Sequence, residues 1–170
     1  PMAATARIID FLRDRRPEGP CLVVDLEVIA ENYRAFTRAM PDTRIFYAVK
    51  ANPAPEVLKL LADMGSCFDT ASVPEIEMAL AAGATPDRIS FGNTIKKERD
   101  IARAHAHGVT LYAVDSDEEV EKVARAADAP IRAALPRLGQ AIGYGRGAAS
   151  DGGVRGRLGT EGEDRVENSL

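Results

Sequence analysis

The stretch Ile45-Phe46-Tyr47-Ala48-Val49-Lys50-Ala51-Asn52-Pro53 is a short apolar run that closes on a single ammonium group. Such a run reads as a buried strand, and a lysine at its end has two outlets. It can snorkel to water at the strand terminus, or it can lower its desolvation cost by pairing with an anion or bonding a carbonyl as an imine. The surrounding chain sets the context for that choice.

Upstream, Leu26, Ile29, Ala30, Tyr33, Phe36 and Met40 recur at helical spacing until Pro41, which predicts a helix with one buried face. Strand-like segments are expected at about residues 44–49, 67–69, 89–91 and 110–114, each followed by a helical stretch. The aromatics Phe46, Phe68, Phe91 and Tyr112 stand roughly 22 residues apart, the length of one strand, one helix and two short loops. Pro55 suits a first helical turn, and Gly65, Gly83 and Gly108 fall where helices should end. Ser72-Val73-Pro74-Glu75 and Ser116-Asp117-Glu118-Glu119 read as capping boxes.

Repeated βα units with continuous apolar strands predict an α/β fold, a parallel sheet covered by helices, as either a barrel or a doubly wound sheet. In a barrel the working groups gather at the carboxyl ends of the strands, where Lys50, Asp69, Asn93 and Asp115 fall. Ala48, two residues before Lys50, would share its face of a strand; there a small side chain lets a ring approach, and it suits a barrel core equally.

Composition narrows the function classes. At 170 residues and 45% hydrophobic, the chain suits one domain with a sizeable core. A net charge of −4 with interspersed signs gathers neither nucleic acid nor anionic lipid. Cys21 and Cys67 are too few and too distant for a metal knuckle or disulfide framework. His105 and His107, two apart in a predicted helix, point about 200° away from each other and cannot share a metal. No stretch reaches the ~20 apolar residues that span a bilayer, and Pro1-Met2-Ala3-Ala4 lacks a basic region followed by an apolar one. A cytoplasmic protein with no membrane, metal or nucleic-acid partner is expected.

Phe46-Tyr47-Ala48-Val49-Lys50-Ala51-Asn52-Pro53 resembles the cofactor-lysine segment of the alanine-racemase-like pyridoxal-phosphate enzymes, and within them the ornithine/lysine/arginine decarboxylases. The resemblance runs from about residue 20 to residue 127. It passes through Phe68-Asp69-Thr70-Ala71-Ser72, Glu75-Ile76, Ile89-Ser90-Phe91-Gly92-Asn93 with Lys96-Lys97, and Val114-Asp115-Ser116 with Glu119.

The resemblance implies a TIM-type (β/α)8 barrel, of which about four units are present where eight and about 250 residues complete one. It implies pyridoxal 5'-phosphate as cofactor, held as an imine by Lys50, with Asp69 orienting the ammonium and Ala48 beside the ring. The substrate implied is a basic amino acid, ornithine or lysine, losing CO₂ to give a diamine of polyamine synthesis. Diaminopimelate decarboxylase and a non-catalytic regulatory relative are the alternatives. A homodimer is expected for the intact family. Glu75 matches an acidic position of the family, although its capping box explains it as well. Lys96 and Lys97 read as solvated residues beside a helix start.

The resemblance also implies parts that cannot be placed in this sequence: a histidine stacked on the ring, a glycine-rich phosphate loop, a glutamate at the pyridine nitrogen and a cysteine-aspartate pair across the dimer. The chain as it stands is therefore expected to be impaired in catalysis.

After Pro130 the character of the chain changes. Residues 131–170 hold nine of the fourteen glycines, several arginines and no lysine, and Ile131-Arg132-Ala133-Ala134-Leu135-Pro136 reads as a poor strand. Residues 1–130 are taken as a partial cofactor-binding barrel and 131–170 as an aberrant tail, as an out-of-frame reading of a GC-rich gene would give; a natural variant tail and a flexible interaction segment are the rivals. Gly143-Tyr144-Gly145-Arg146-Gly147 neither follows a strand nor opens a helix, which argues against a phosphate loop.

Overall fold

Five short strands lie side by side, all parallel, in the order in which the chain makes them. They are β1 (Phe46–Ala48), β2 (Cys67–Thr70), β3 (Ile89–Phe91), β4 (Leu111–Ala113) and β5 (Arg132–Ala134). The structure, a computed structural model, describes residues 5–127 and 132–134. Two helices precede β1, α1 (Ala6–Arg15) and α2 (Leu26–Ala39), and the crossovers carry α3 (Pro55–Asp63), α4 (Val73–Ala81), α5 (Glu98–Ala106) and α6 (Asp117–Ala127).

The order decides between the two sheets the sequence leaves open. A doubly wound sheet reverses direction at its switch point, whereas a barrel adds each strand beyond the last. The order β1-β2-β3-β4-β5 contains no reversal, so the chain is a partial (β/α) barrel. Phe68, Ile89, Phe91 and Tyr112 bury on the helix-covered face with Val57, Leu58, Leu61, Ile76, Ile101, Val109 and Val123. The aromatic period is real but staggered by one residue. Phe46 pairs in register with Cys67, so the ring that meets Phe68 is Tyr47, edge-on at 6.4 Å.

The local signals act as their chemistry predicts. Pro55 sits in the first turn of α3, and Gly65 (φ 87°), Gly83 (φ 101°) and Gly108 (φ 87°) take the left-handed conformation just past α3, α4 and α5. The capping boxes form only in part. Ser72 makes no side-chain cap bond, and the Glu75 carboxylate accepts from Ala71 N–H rather than Ser72 N–H. Ser116 Oγ does accept from Glu119 N–H, but the Glu119 side chain turns inward.

Three features depart from the sequence reading. First, α2 has its expected length, yet only Ala30 is buried; Ile29 and Tyr33 pack against the core while Leu26, Phe36 and Met40 stay exposed. The helix stands outside β1, an edge of the sheet, where among the described residues no further βα unit covers its stripe. Second, α1 was not expected, although Ile8, Phe11 and Leu12 recur at helical spacing, and it buries no residue; Thr5 caps it, and the Thr5 hydroxyl also donates to Asp25 at 3.1 Å. Third, Arg132–Ala134 is a strand despite its poor sequence, because the edge of β4 offers it the register Leu111↔Arg132, Tyr112↔Ala133 and Ala113↔Ala134. The stretch 143–147 lies outside the described residues.

Candidate active site

Lys50 does not end a strand. β1 stops at Ala48, and Val49–Ala51 forms one turn of 3-10 helix that buries Val49 and leaves Lys50 exposed above the carboxyl end of the sheet. The motif residues around it hold this turn. The Tyr47 hydroxyl donates to the Asn52 carbonyl at 3.2 Å, and Asn52 Oδ1 accepts from Ala54 N–H at 3.0 Å, leading into α3. The face that Ala48 was expected to share with Lys50 on a strand is therefore broken by the turn. Ala48 instead lies in register with Asp69, and Asp69 with Ser90.

Lys50, Asp69, Ala71, Glu75, Gly92, Asn93 and Thr94 line a cleft of about 210 Å³ at the carboxyl ends of β1, β2 and β3. The structure thus brings together Lys50, Asp69, Asn93 and Glu75, while Ala48 and Asp115 lie outside the lining. The Lys50 amine makes no hydrogen bond or ion pair among the described residues. Asp69 is partly buried, and its Oδ1 accepts from the Ser90 hydroxyl at 2.7 Å. Burial raises the Asp69 pKa above its ordinary value; the Ser90 hydrogen bond and the Lys50 charge oppose that rise, and the Glu75 charge adds to it.

The cleft wall after β3 is pinned from below. Lys96, expected to be solvated, is buried with its side chain fully covered. Its Nζ donates to the carbonyls of Ala113 at 2.5 Å, Asn93 at 2.8 Å and Thr94 at 3.4 Å, and lies 3.6 Å from Glu119 Oε2. Burial lowers the Lys96 pKa, with Glu119 opposing. Glu119 is paired on its other oxygen with Lys122, which also donates to the Lys96 carbonyl at 2.9 Å. The Asp115 charge also opposes the effect of burial on Lys96.

The chemistry of the lining suits pyridoxal on two counts. Its volume exceeds the roughly 150 Å³ that takes a benzene ring, and Lys50 supplies an amine for an aldehyde. For a phosphate, that lining offers the Lys50 ammonium and two neutral side-chain donors, the Asn93 amide and the Thr94 hydroxyl. A family model described as pyridoxal-dependent decarboxylase, pyridoxal binding domain, matches residues 26–142.

The chain belongs to the pyridoxal-dependent decarboxylases.

It is 47% identical over 104 residues to a chloroplastic ornithine decarboxylase of Nicotiana glauca, covering 61% of this chain and 24% of that protein. It is 38% identical over 118 residues to antizyme inhibitor 2 of Xenopus laevis, covering 69% and 26%. Among solved structures, the lysine decarboxylase of Selenomonas ruminantium superposes with a TM-score of 0.71 at 30% identity, covering 88% of this chain and 40% of that one. The chain spans about a quarter of the length of these curated relatives. The family match reaches residue 142, beyond residue 127 where the sequence resemblance was expected to end.

Gly92, Ala71 and Thr94 of the cleft lining, and Ser90 beside it, were given no role from the sequence. Ser90 and Gly92 stand inside a motif already singled out. The signal at Ser90 was a polar residue inside an apolar strand, where Val or Ile would be ordinary, and at Gly92 a glycine directly after that strand. No helix among the described residues is long and apolar enough to cross a membrane.

Proposed function

We propose that this chain is the amino-terminal part of a pyridoxal-phosphate-dependent decarboxylase acting on ornithine or lysine, with Lys50 as the residue that bonds the cofactor aldehyde. The observation that carries the reading is the meeting of Lys50 and Asp69 in one cleft at the carboxyl ends of β1 and β2. The names of the relatives, ornithine and lysine decarboxylase, support a basic amino acid as substrate.

The bound ring would draw away the electron pair left on the amino acid Cα as the carboxylate departs as CO₂. The residues of the chain prepare that event. Lys50 Nζ must lose its proton to bond an aldehyde and regain one when an incoming amine displaces it, and the Asp69 carboxylate lines the same cleft as its counter-charge. Ala48, in register with Asp69 at the end of β1, leaves room for a ring because its side chain is a single methyl group. The pinned backbone of Asn93 and Thr94 forms a wall that needs no rearrangement.

Turnover by the chain alone is expected to be low, since the lining offers few donors to a phosphate and the cleft is open to water. A homodimer completes the reading for the intact enzyme. The free thiols Cys21 and Cys67 fit a reducing compartment such as the cytoplasm. An absorbance titration with pyridoxal phosphate, compared with Lys50→Ala, tests the reading, and CO₂ release from ornithine and lysine tests the substrate. Saturable binding lost in the variant supports it; equal binding by both proteins contradicts it.

The similarity to antizyme inhibitor 2 favours a second reading, a relative that acts on an intact decarboxylase. Mixing the chain with an intact ornithine decarboxylase across a wide concentration range separates the two. A change in that enzyme's activity or assembly supports the second reading.

A further inference from the structure

Asp69 and Ser90 are in-register partners on β2 and β3, so their side chains leave the same face of the sheet. Ser90 is only 3% exposed, and its hydroxyl has two acceptors in reach, Asp69 Oδ1 at 2.7 Å and the Phe68 carbonyl at 3.5 Å. A hydroxyl has one proton to donate, and the shorter contact is the charge-assisted one. Gly92, two residues on, makes the seat: a Cβ there would stand 2.0 Å from Asp69 Oδ1. The carboxyl therefore rests in a notch built by the end of β3. The charged groups acting on it are Lys50, from the turn after β1, and Glu75, from α4, whose own carboxylate is tied to Ala71 N–H at 2.7 Å. Ser90 is the leading influence against the effect of burial on Asp69, ahead of Lys50.

We propose that Ser90 is a positioning residue of the cleft, its hydroxyl holding Asp69 as the carboxylate that faces the Lys50 amine. This rests on the reading of Lys50 as the residue that bonds the cofactor aldehyde. Without the hydroxyl, Asp69 keeps its proton to higher pH. Lys50 then faces a neutral carboxyl in place of its counter-charge.

The test follows Asp69 and Lys50 separately in the full chain. Carboxyl-carbon NMR of ¹³C-labelled aspartate reads Asp69 directly, with Asp69→Asn assigning the signal and no cofactor present. Ser90→Ala is expected to strengthen proton binding at Asp69 roughly tenfold, the worth of a hydrogen bond to a charged group, while Ser90→Thr, which keeps the hydroxyl, leaves it near the parent. If the alanine variant fails to fold, Ser90→Cys, a weaker donor of similar size, gives the same reading. An unmoved titration in the alanine variant, or a threonine variant that moves as far, overturns the proposal. The second arm follows the pH profile of the Lys50 adduct with pyridoxal phosphate. Ser90→Ala is expected to change that profile in the parent but not in an Asp69→Asn background; the same change in both backgrounds overturns the proposal. A parent that shows the Asp69 titration but never forms an adduct on Lys50 overturns the cofactor reading instead.

Discussion

Lys96 Nζ reaches across from the loop after β3 to the carbonyl oxygen of Ala113 at the end of β4, 2.5 Å away. The same ammonium holds the carbonyls of Asn93 and Thr94, so one buried charge fixes the wall of the cleft to the neighbouring strand. Its carboxylate neighbour, Glu119, comes from α6. Removing the ammonium leaves the carbonyls of Asn93, Thr94 and Ala113 without their shared donor, while Glu119 keeps Lys122 as its partner. Lys96→Met is expected to lower stability in urea unfolding by about 1–3 kcal/mol, the cost of buried acceptors left unsatisfied. A Lys96→Met variant as stable as the parent would show that the ammonium is dispensable.

Gly92 and Asp69 cannot both keep their places if a side chain is added. With a Cβ at 2.0 Å from Asp69 Oδ1, Gly92→Ala is expected to displace the carboxyl from its seat beside Ser90. The overpacking costs about 1–3 kcal/mol, which leaves a folded chain by circular dichroism. Its capture of pyridoxal phosphate is expected to weaken at least several-fold, the order of 1 kcal/mol. Undiminished capture would remove Asp69 from the site.

The pH dependence of stability has a definite sign at Asp69. Burial raises its pKa above the ordinary 3.8, so the folded chain holds this proton to higher pH than the unfolded chain. Its contribution is fully present below about 3.8 and is lost as pH rises through the folded value. Asp69→Asn, which does not ionise, lacks this slope. Its urea midpoint is therefore expected to gain on the parent's between about pH 4 and pH 7, and a variant that loses ground over that range contradicts the burial argument.

Exposed apolar side chains give a fourth expectation. Leu22 is 84% exposed, Ile95 71% and Phe36 55%, more than an isolated soluble domain usually leaves together with an open sheet. The purified chain is expected to bind a hydrophobic dye or to associate with rising concentration, and Phe36→Lys is expected to reduce either effect. A dye-silent monomer with a sharp melting transition would show that these faces are covered.

The parallel sheet was legible because each βα unit carries its own punctuation: Pro55 opens α3, and Gly65, Gly83 and Gly108 close three helices. Barrel and doubly wound sheet share those signals, so only the strand order separates them. Within the site, Lys50 and Asp69 were legible as polar residues at strand ends, and the structure places both in one cleft. Lys96 was not. A lysine beside a helix start looks solvated from its neighbours in sequence, and its burial depends on Ala113 and Glu119, 17 and 23 residues further on. β5 was legible only as a poor strand for a similar reason, since Arg132–Ala134 has little strand propensity and gains its form from the edge of β4.

The central claim is that Lys50 bonds the pyridoxal aldehyde. Incubation of the purified chain with pyridoxal phosphate, borohydride reduction and mass mapping of the labelled peptide tests it most directly, with Lys50→Ala treated alongside. A single reduced adduct on Lys50 is expected, with no transfer to Lys96 or Lys97 in the variant. Labelling spread evenly over the exposed lysines, or a selective adduct at any other position, would contradict it.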